Sequence, residues 1–286
     1  MARGLSKFYN LRTKLLYKMF HFPIRMKVAK RRRVKHPRLT VVMLHGISAT
    51  SDTWDTTLRQ LAKNPDMNDI EFIALDLLGF GKSLQSDWLD YDYTDYNEAL
   101  ATTLRHLKIQ TPIVLIGHSM GSLISANFAN SGKSPVEIIG LILVSPPILL
   151  PEEIAKLPDK VYTKSYSSLY RLAKDQPAIG AIANFIQRFS NFDSKYLKTP
   201  AFARSMDNVI LNQQNYQTFK KLKIPTLIIH GHFDPLVMYS NLKRVADQNP
   251  TYVHLTSVIG HHDISAQKRM KILIELKRLL HEGEVK

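Results

Sequence analysis

The sequence contains no cysteine among its 286 residues, which excludes a disulfide framework. The absence of thiols fits a reducing compartment, so we expect a cytoplasmic protein that is at most peripheral at the inner face of the membrane. No run reaches the roughly 18 apolar residues that a membrane-spanning helix needs, and no apolar segment follows the early basic residues as in a secretory signal. Internal repeats and low-complexity tracts are also missing. With 44% hydrophobic residues, the chain can form one large domain around a sizeable core.

Acidic residues are missing from the first 38 positions, which contain 13 Lys or Arg. The formal net charge is +15, which leaves only +2 for the rest of the chain, so the basicity belongs to this segment. Between residues 5 and 20, apolar side chains cover about half of a helical wheel, with Lys7, Lys14 and Lys18 opposite. Such a pattern is typical of a helix at an anionic membrane surface, and we expect residues 1–38 to contact one.

Three other interpretations of the basic segment stay open. Its helix could pack on the protein itself or on a partner. The segment could instead bind nucleic acid as a basic arm, although no aromatic residues interleave with the basic run at Arg31–Lys35 as a base-stacking platform requires. Residues Pro23–Val28 could also form an edge strand in front of the core, since Ile24, Met26 and Val28 alternate.

Short β-branched runs alternate with amphipathic stretches along most of the chain. Such alternation predicts an α/β fold with a doubly wound, mostly parallel sheet. Strands are expected near 40–45, 70–75, 112–117, 138–144, 224–230 and 251–256, and helices near 54–63, 94–107, 120–130, 238–248 and 265–281.

The interval 146–221 interrupts this rhythm, because it is rich in aromatic residues and has no clear β-branched run. We interpret it as a helical cap over the site that selects the substrate and excludes water. The alternative is a plain helical layer whose aromatic side chains all belong to the core. The expected organisation is a basic amphipathic segment (1–37), a core (38–145 and 222–286) and the cap (146–221).

The most informative motif is Gly117-His118-Ser119-Met120-Gly121, which directly follows a predicted strand and precedes an amphipathic helix. Gly-x-Ser-x-Gly in this context predicts a nucleophile elbow, with Ser119 as the nucleophile. A serine hydroxyl needs a base, a group that orients the base, and donors for the developing oxyanion.

The acid and the base are expected after two later strands. Asp234 follows a predicted strand within Gly231-His232-Phe233-Asp234-Pro235, although an Asp-Pro turn alone would also explain it. His261 is the expected base, in Gly260-His261-His262, with His262 as the direct competitor.

Two backbone N–H groups are expected to form the oxyanion hole. One belongs to Met120, the residue after the nucleophile. The other is assigned to Ile47, because Gly46 lets the chain after the first predicted core strand turn back toward the site. No metal-ligand spacing brings the histidines together, and no cofactor is required.

These motifs, together with Asp76-Leu77-Leu78-Gly79-Phe80-Gly81-Lys82-Ser83 and His45-Gly46, resemble those of the α/β-hydrolase superfamily. The resemblance covers about residues 38 to 282 and points to the serine-nucleophile, cap-containing branch of esterases and lipases. In that family the base comes immediately after the glycine, which favours His261. The Asp-x-x-Gly-x-Gly-x-Ser segment shapes the fold without being catalytic. One departure is Ser122, where relatives often carry a second glycine.

The resulting hypothesis is a serine hydrolase with the triad Ser119, Asp234 and His261 that cleaves a small-molecule carboxylic ester through an acyl-enzyme. A medium-chain or monoacylglycerol-like ester suits the aromatic cap and the basic segment. Carbon–carbon bond hydrolysis and perhydrolysis use the same triad and stay open, as does a hydrolase-like binding protein without catalysis. The sequence does not give the oligomeric state.

Overall fold

The computed structural model describes residues 12–17, 19, 23–150, 193–212 and 214–284. The strands in these ranges are β1 (Lys27–Arg32), β2 (Leu39–Leu44), β3 (Ile70–Asp76), β4 (Ile113–His118), β5 (Ile138–Val144), β6 (Thr226–Gly231) and β7 (Val253–Val258). They form one sheet in the order β1-β3-β2-β4-β5-β6-β7. β1 pairs antiparallel with β3, and the other neighbouring strands pair in parallel.

The helices of the described core and of the segment before β6 complete the architecture. They are α1 (Asp55–Ala62), α2 (Tyr93–His106), α3 (Met120–Asn130), α4 (Pro200–Ser205), α5 (Asn215–Lys220), α6 (Tyr239–Gln248) and α7 (Ala266–Glu284). Shorter helical turns occupy Ser51–Trp54, Pro65–Met67, Ser194–Tyr196 and Met206–Ile210.

The sheet is buried on both faces, and this is why its central strands are apolar throughout. In β2, Val42 and Leu44 belong to one apolar cluster, whereas Val41 and Met43 belong to the other. Side chains of α2, α3 and α6 cover the first face, and those of α1 and α7 cover the second. The predicted doubly wound α/β sheet is therefore confirmed.

The beginning of the described chain packs on the protein. Residues 12–17 are helical, and the Tyr17 hydroxyl donates to Asp95 Oδ1 at 2.7 Å while its ring lies 5.4 Å from the Trp88 ring. β1 then forms an edge strand, but it begins at Lys27 and not at Pro23. Across this edge, Arg31 Nε pairs with Glu71 Oε1 at 2.6 Å. None of the helices in the described ranges combines the length and the apolar composition that crossing a bilayer demands.

The described part of the predicted cap consists of residues 146–150, which have no regular secondary structure, and of residues 193–212 and 214–221, which are mostly helical. Its Phe202 and Phe219 side chains are fully buried in the first apolar cluster, so these two aromatic residues belong to the core. Tyr196, another aromatic residue on which the cap prediction rests, is buried in the same cluster. The remaining ones lie outside the described residues: Tyr162, Tyr166, Tyr170, Phe185, Phe189 and Phe192. The cap therefore stays a prediction.

The order of the strands fixes where a site can form. The chain passes from β2 to β3 on one side and then to β4 on the other, so the direction of the connections reverses between β2 and β4. Open α/β sheets bind ligands beyond the carboxyl ends of their strands at such a point. The loops after β2, β4, β5, β6 and β7 all begin at this edge of the sheet.

Candidate active site

Ser119 connects the end of β4 to the start of α3 in a strained backbone conformation, with φ 52° and ψ −120°. A non-glycine residue with positive φ costs of order 1–3 kcal/mol and persists only where the surroundings impose it. Here the Ser119 N–H donates to Val144 O at 2.8 Å and ties the turn to β5. The serine is 5% exposed. This geometry is that of the predicted elbow.

The glycines on both sides of Ser119 are required by close backbone packing. A Cβ at Gly117 would lie 2.4 Å from the backbone of Ser122, and one at Gly121 would lie 2.3 Å from Leu44 O. α3 therefore passes directly over the end of β2. Ser122, which replaces the second glycine of many relatives, fits because its hydroxyl donates to Val144 O at 3.2 Å.

Asp234 and His262 form a buried pair at the ends of β6 and β7. His262 Nδ1 lies 3.0 Å from Asp234 Oδ1 and 2.9 Å from Oδ2. Because an ionised carboxylate only accepts, the imidazole carries its proton on Nδ1, and its Nε2 is free to act as a base. Burial raises the pKa of Asp234, but the charge and hydrogen bond of His262 and the charge of Lys268 outweigh it, so the pKa is lowered.

The sequence predicts His261 as the partner of Asp234, and here the structure differs. The His261 side chain is exposed, and its Nδ1 lies 3.1 Å from Phe233 O. Its carbonyl oxygen, in contrast, is inside the protein, 2.5 Å from Lys268 Nζ. The chain bends at His262, whose ring is buried while the preceding His261 ring is exposed. The structure thus places His262, and not the predicted His261, in contact with Asp234.

His118, the last residue of β4, contacts both the carbonyl group and the ring of His262. Its Nε2 donates to the His262 carbonyl at 2.8 Å, and the two rings are 5.0 Å apart. Burial first, and then the neighbouring His262, lower the pKa of His118 to about 3. A neutral His118 places no second charge beside the candidate base.

The two predicted oxyanion donors border the elbow. A Cβ at Gly46 would lie 3.1 Å from Ser119 Cβ, so the chain at Ile47 passes next to the nucleophile. Neither the Ile47 nor the Met120 N–H donates to another described residue outside its own element. Both groups are thus candidates for binding an oxyanion, and their role stays a prediction.

The His45 side chain secures the loop that carries Ile47. Leu77 N–H donates to His45 Nε2 at 2.9 Å, so the proton is on Nδ1, which lies 2.7 Å from Gly46 O. Burial lowers the pKa of His45 to about 4, and the ring is therefore neutral at pH 7. The imidazole acts as a fixed link between the end of β3 and the turn after β2.

Asp76 organises the loop that follows β3. Its carboxylate accepts from Ser51 N–H at 2.9 Å and from Lys82 N–H at 2.8 Å, and its carbonyl accepts from the Ser83 hydroxyl. Gly81, with φ +56°, lies so close that a Cβ would be 2.2 Å from the Asp76 carboxylate. The motif therefore builds the wall of the crevice.

The sequence analysis gave His262 only as the competitor of His261, and it did not single out the buried Lys268. A signal for the second exists. Lys268, Ile272 and Leu276 follow each other at intervals of four, which places the lysine on the apolar stripe of α7. A single cation on such a stripe, six residues after the candidate base His262, indicates a buried partner.

Comparison with known proteins agrees with this geometry. The sequence model of the family described as "Serine aminopeptidase, S33" matches residues 35–261. The chain belongs to the serine aminopeptidase (S33) family of α/β-hydrolases.

Curated relatives of the chain carry lipase or esterase names. Over 123 residues, covering 43% of this chain, it is 29% identical to "Probable lysophospholipase BODYGUARD 2" of Arabidopsis thaliana. The chain spans only about a quarter, 26%, of the length of that relative. It is 21% identical to the monoacylglycerol lipase ABHD6 of Bos taurus over 266 residues, which cover 86% of this chain and 77% of that protein.

Solved structures share the fold. A thermophilic esterase from Thermogutta terrifontis aligns with a TM-score of 0.68 and 19% identity, covering 89% of this chain and 94% of that one. At this identity the likeness concerns the fold alone.

Proposed function

We propose that this S33-family protein is a serine hydrolase that cleaves a carboxylic ester, with Ser119 as nucleophile, His262 as base and Asp234 as the orienting carboxylate. The observation that carries the proposal is the buried His262–Asp234 pair at the same sheet edge as the strained elbow. His262 replaces the sequence-based choice of His261, because the buried His262 ring lies 2.9 Å from Asp234 Oδ2 whereas the His261 side chain is exposed.

The reaction proceeds in two halves. The Ser119 hydroxyl attacks the ester carbonyl while His262 Nε2 accepts its proton, and the Met120 and Ile47 N–H groups bind the oxyanion. The imidazolium then protonates the leaving alcohol, and the acyl group stays on Ser119. Water, deprotonated by His262, attacks the acyl-enzyme and restores the serine. Asp234 holds the Nδ1 proton throughout.

A lipid-like ester, such as a monoacylglycerol, is the substrate class we propose. The names of the relatives, lysophospholipase and monoacylglycerol lipase, support it. The rim formed by the loops after β6 and β7 also exposes two large apolar side chains, with Phe233 63% and Ile259 68% exposed. Such side chains favour contact with acyl chains or with an interface that holds them.

We propose that residues 1–38 bring the enzyme to an anionic membrane surface. Leu15 and Met19, four positions apart, are exposed by 50% and 67%. Part of the charge is already paired inside the protein, since Lys30 pairs with Asp52 at 2.7 Å and Arg31 with Glu71. The attraction would therefore come chiefly from the other basic residues of the segment.

The proposal is tested by comparing Ser119→Ala with a matched control, Ser125→Ala, one and a half turns further along α3. Both are assayed on p-nitrophenyl esters of increasing chain length and labelled with a fluorophosphonate probe. We expect Ser119→Ala to lose the label and at least about 10³-fold in kcat/KM, and the control to keep both. Unchanged ester hydrolysis by Ser119→Ala would contradict the assignment of Ser119 as the nucleophile.

A further inference from the structure

The first turn of α7 contains a lysine with no solvent exposure, Lys268, at 0%. It lies on the same stripe as Ile272 and Leu276, the face that packs against the sheet. A buried ammonium group without partners would be too costly to keep, so the partners of Lys268 indicate what it does.

Both hydrogen-bond partners of Lys268 lie at the edge of the sheet that holds the candidate site. Nζ donates to Ser145 Oγ at 2.9 Å and to the His261 carbonyl oxygen at 2.5 Å. Burial lowers the pKa of Lys268 to about 8, against the opposing effect of the Asp234 and Asp263 charges. At neutral pH the group is therefore still a cation.

The His261 carbonyl belongs to the peptide group that leads into His262, the candidate base. The next carbonyl, that of His262, accepts from His118 Nε2 at 2.8 Å. Side-chain donors therefore anchor the peptide groups on both sides of the base. The close approach of Gly231, where a Cβ would lie 2.4 Å from His261 O, restricts the same carbonyl from a third direction.

Ser145, the other partner, is an unusual residue. It follows β5 with φ +51°, in the left-handed region, and is fully buried. Its N–H donates to Ile229 O at 2.9 Å, which ties the turn to β6. The strained turn presents the Ser145 hydroxyl to Lys268, so the end of β5 and the loop after β7 are joined through one ammonium group.

We propose that Lys268 is a positioning residue that fixes the peptide group entering His262 and places a positive charge beside the His262–Asp234 pair. This inference rests on the proposed function, because it assigns His262 and Asp234 their roles. The charged and titratable groups around the candidate base His262 are Asp234, Asp263, Lys268, His118, His230 and His232.

The two contributions of Lys268, donor and charge, can be separated by substitution. Lys268→Met removes both, whereas Lys268→Gln keeps a neutral N–H donor. Lys271→Met, on the same helix, is the matched control. Ser145→Ala removes one partner of the ammonium group and stands in if a Lys268 variant does not fold.

The first measurement is the titration of the His262 ring by NMR, which needs no substrate. Loss of the neighbouring cation favours protonation of the imidazole, so both Lys268 variants should titrate at a pH higher by about half a unit to one unit. Lys271→Met should titrate as the wild type. Ser145→Ala, which keeps the charge, should also keep the wild-type midpoint.

The second measurement is ester hydrolysis as a function of pH. Lys268→Met should lose about 10- to 100-fold in kcat, because a base that is misplaced by 1 Å can cost that much. Lys268→Gln should recover part of kcat but keep the acid limb shifted to higher pH. A partial recovery of this kind would not follow from a purely structural role.

An unchanged titration midpoint together with kcat within about twofold of the wild type in Lys268→Met would overturn the positioning role. If the wild type hydrolyses no ester but the Lys268 variants still show the shift in the His262 titration, the role of Lys268 is supported and only the proposed function is contradicted. The two failures are thus distinguishable.

Discussion

His262 Nδ1 lies 2.9 Å from a carboxylate oxygen of Asp234, although the residues are 28 positions apart. The pairing of β6 with β7 brings them together, because Gly231 and Val258, the last residues of the two strands, are register partners. The loops that follow therefore begin side by side. The parallel sheet, and not a local motif, creates the pair.

Asp234→Asn should lower kcat about 10²- to 10⁴-fold, because an amide can turn its NH₂ toward His262 and favour the wrong tautomer. Steady-state kinetics on a soluble ester measures this. Asp247→Asn, an exposed aspartate on α6, is the control and should retain wild-type rates. A wild-type kcat in Asp234→Asn would contradict the orienting role.

The lowered pKa of Asp234 also predicts how stability depends on pH. A carboxyl group with a folded pKa below its unfolded value of 3.8 binds fewer protons in the folded state. Its stabilising contribution is present above pH 3.8 and is lost as the pH falls through the folded value. Urea unfolding should show the wild type losing this contribution in acid while Asp234→Asn does not. Parallel curves of unfolding free energy against pH for the two proteins would contradict the lowered pKa of Asp234.

Much of this architecture could be predicted from the sequence. The expected strand 138–144 has the observed bounds, and that at 70–75 differs by one residue. The reason is that fully buried parallel strands are uninterrupted apolar runs, which end where the chain turns. The nucleophile elbow at Ser119 could also be predicted, because the sequence shows its two glycines and the apolar strand before it.

The features that could not be predicted depend on contacts between residues that are distant along the chain. Whether His261 or His262 faces inward is decided by Lys268 and Gly231, which hold the His261 carbonyl, and neither is adjacent in sequence. The beginning of β1 was misplaced by four residues because Met26 is held by the Thr103 hydroxyl on α2, a contact that no local pattern predicts.

Gly121→Ala should destabilise the fold or abolish it, whereas Gly132→Ala should cost only about 1 kcal/mol. A Cβ at Gly121 would lie 2.3 Å from the Leu44 carbonyl oxygen, a backbone atom that cannot move without shifting β2. Gly132 has φ +69° but nothing within 4 Å of a Cβ, so backbone strain is its sole penalty. Thermal unfolding compares the two, and equal losses would contradict the packing described at the elbow.

Lys268 predicts a further rise of stability with pH, in the alkaline range. Its folded pKa of about 8 is below the ordinary value of 10.5, so the unfolded state binds more protons between these pH values. Stability relative to Lys268→Met should therefore rise with pH across this window, by up to about 3 kcal/mol. Urea unfolding at several pH values between these limits measures the difference. A constant difference would show that the buried lysine does not titrate in this way.

Leu15→Ser combined with Met19→Ser should weaken binding to anionic vesicles without changing hydrolysis of a soluble ester. Both side chains are exposed, so the free energy of unfolding should change little. Vesicle sedimentation measures binding, and neutral phosphatidylcholine vesicles are the control for charge. Wild-type binding by the double variant would count against this segment as the membrane contact.

The most direct test of the central claim compares His262→Gln with His261→Gln. The two residues are adjacent, but the first is buried against Asp234 and the second is exposed. With His262 as the base, His262→Gln should lose at least about 10³-fold in kcat/KM, and His261→Gln should stay within about threefold of the wild type. The reverse result, a large loss in His261→Gln and little change in His262→Gln, would contradict the account.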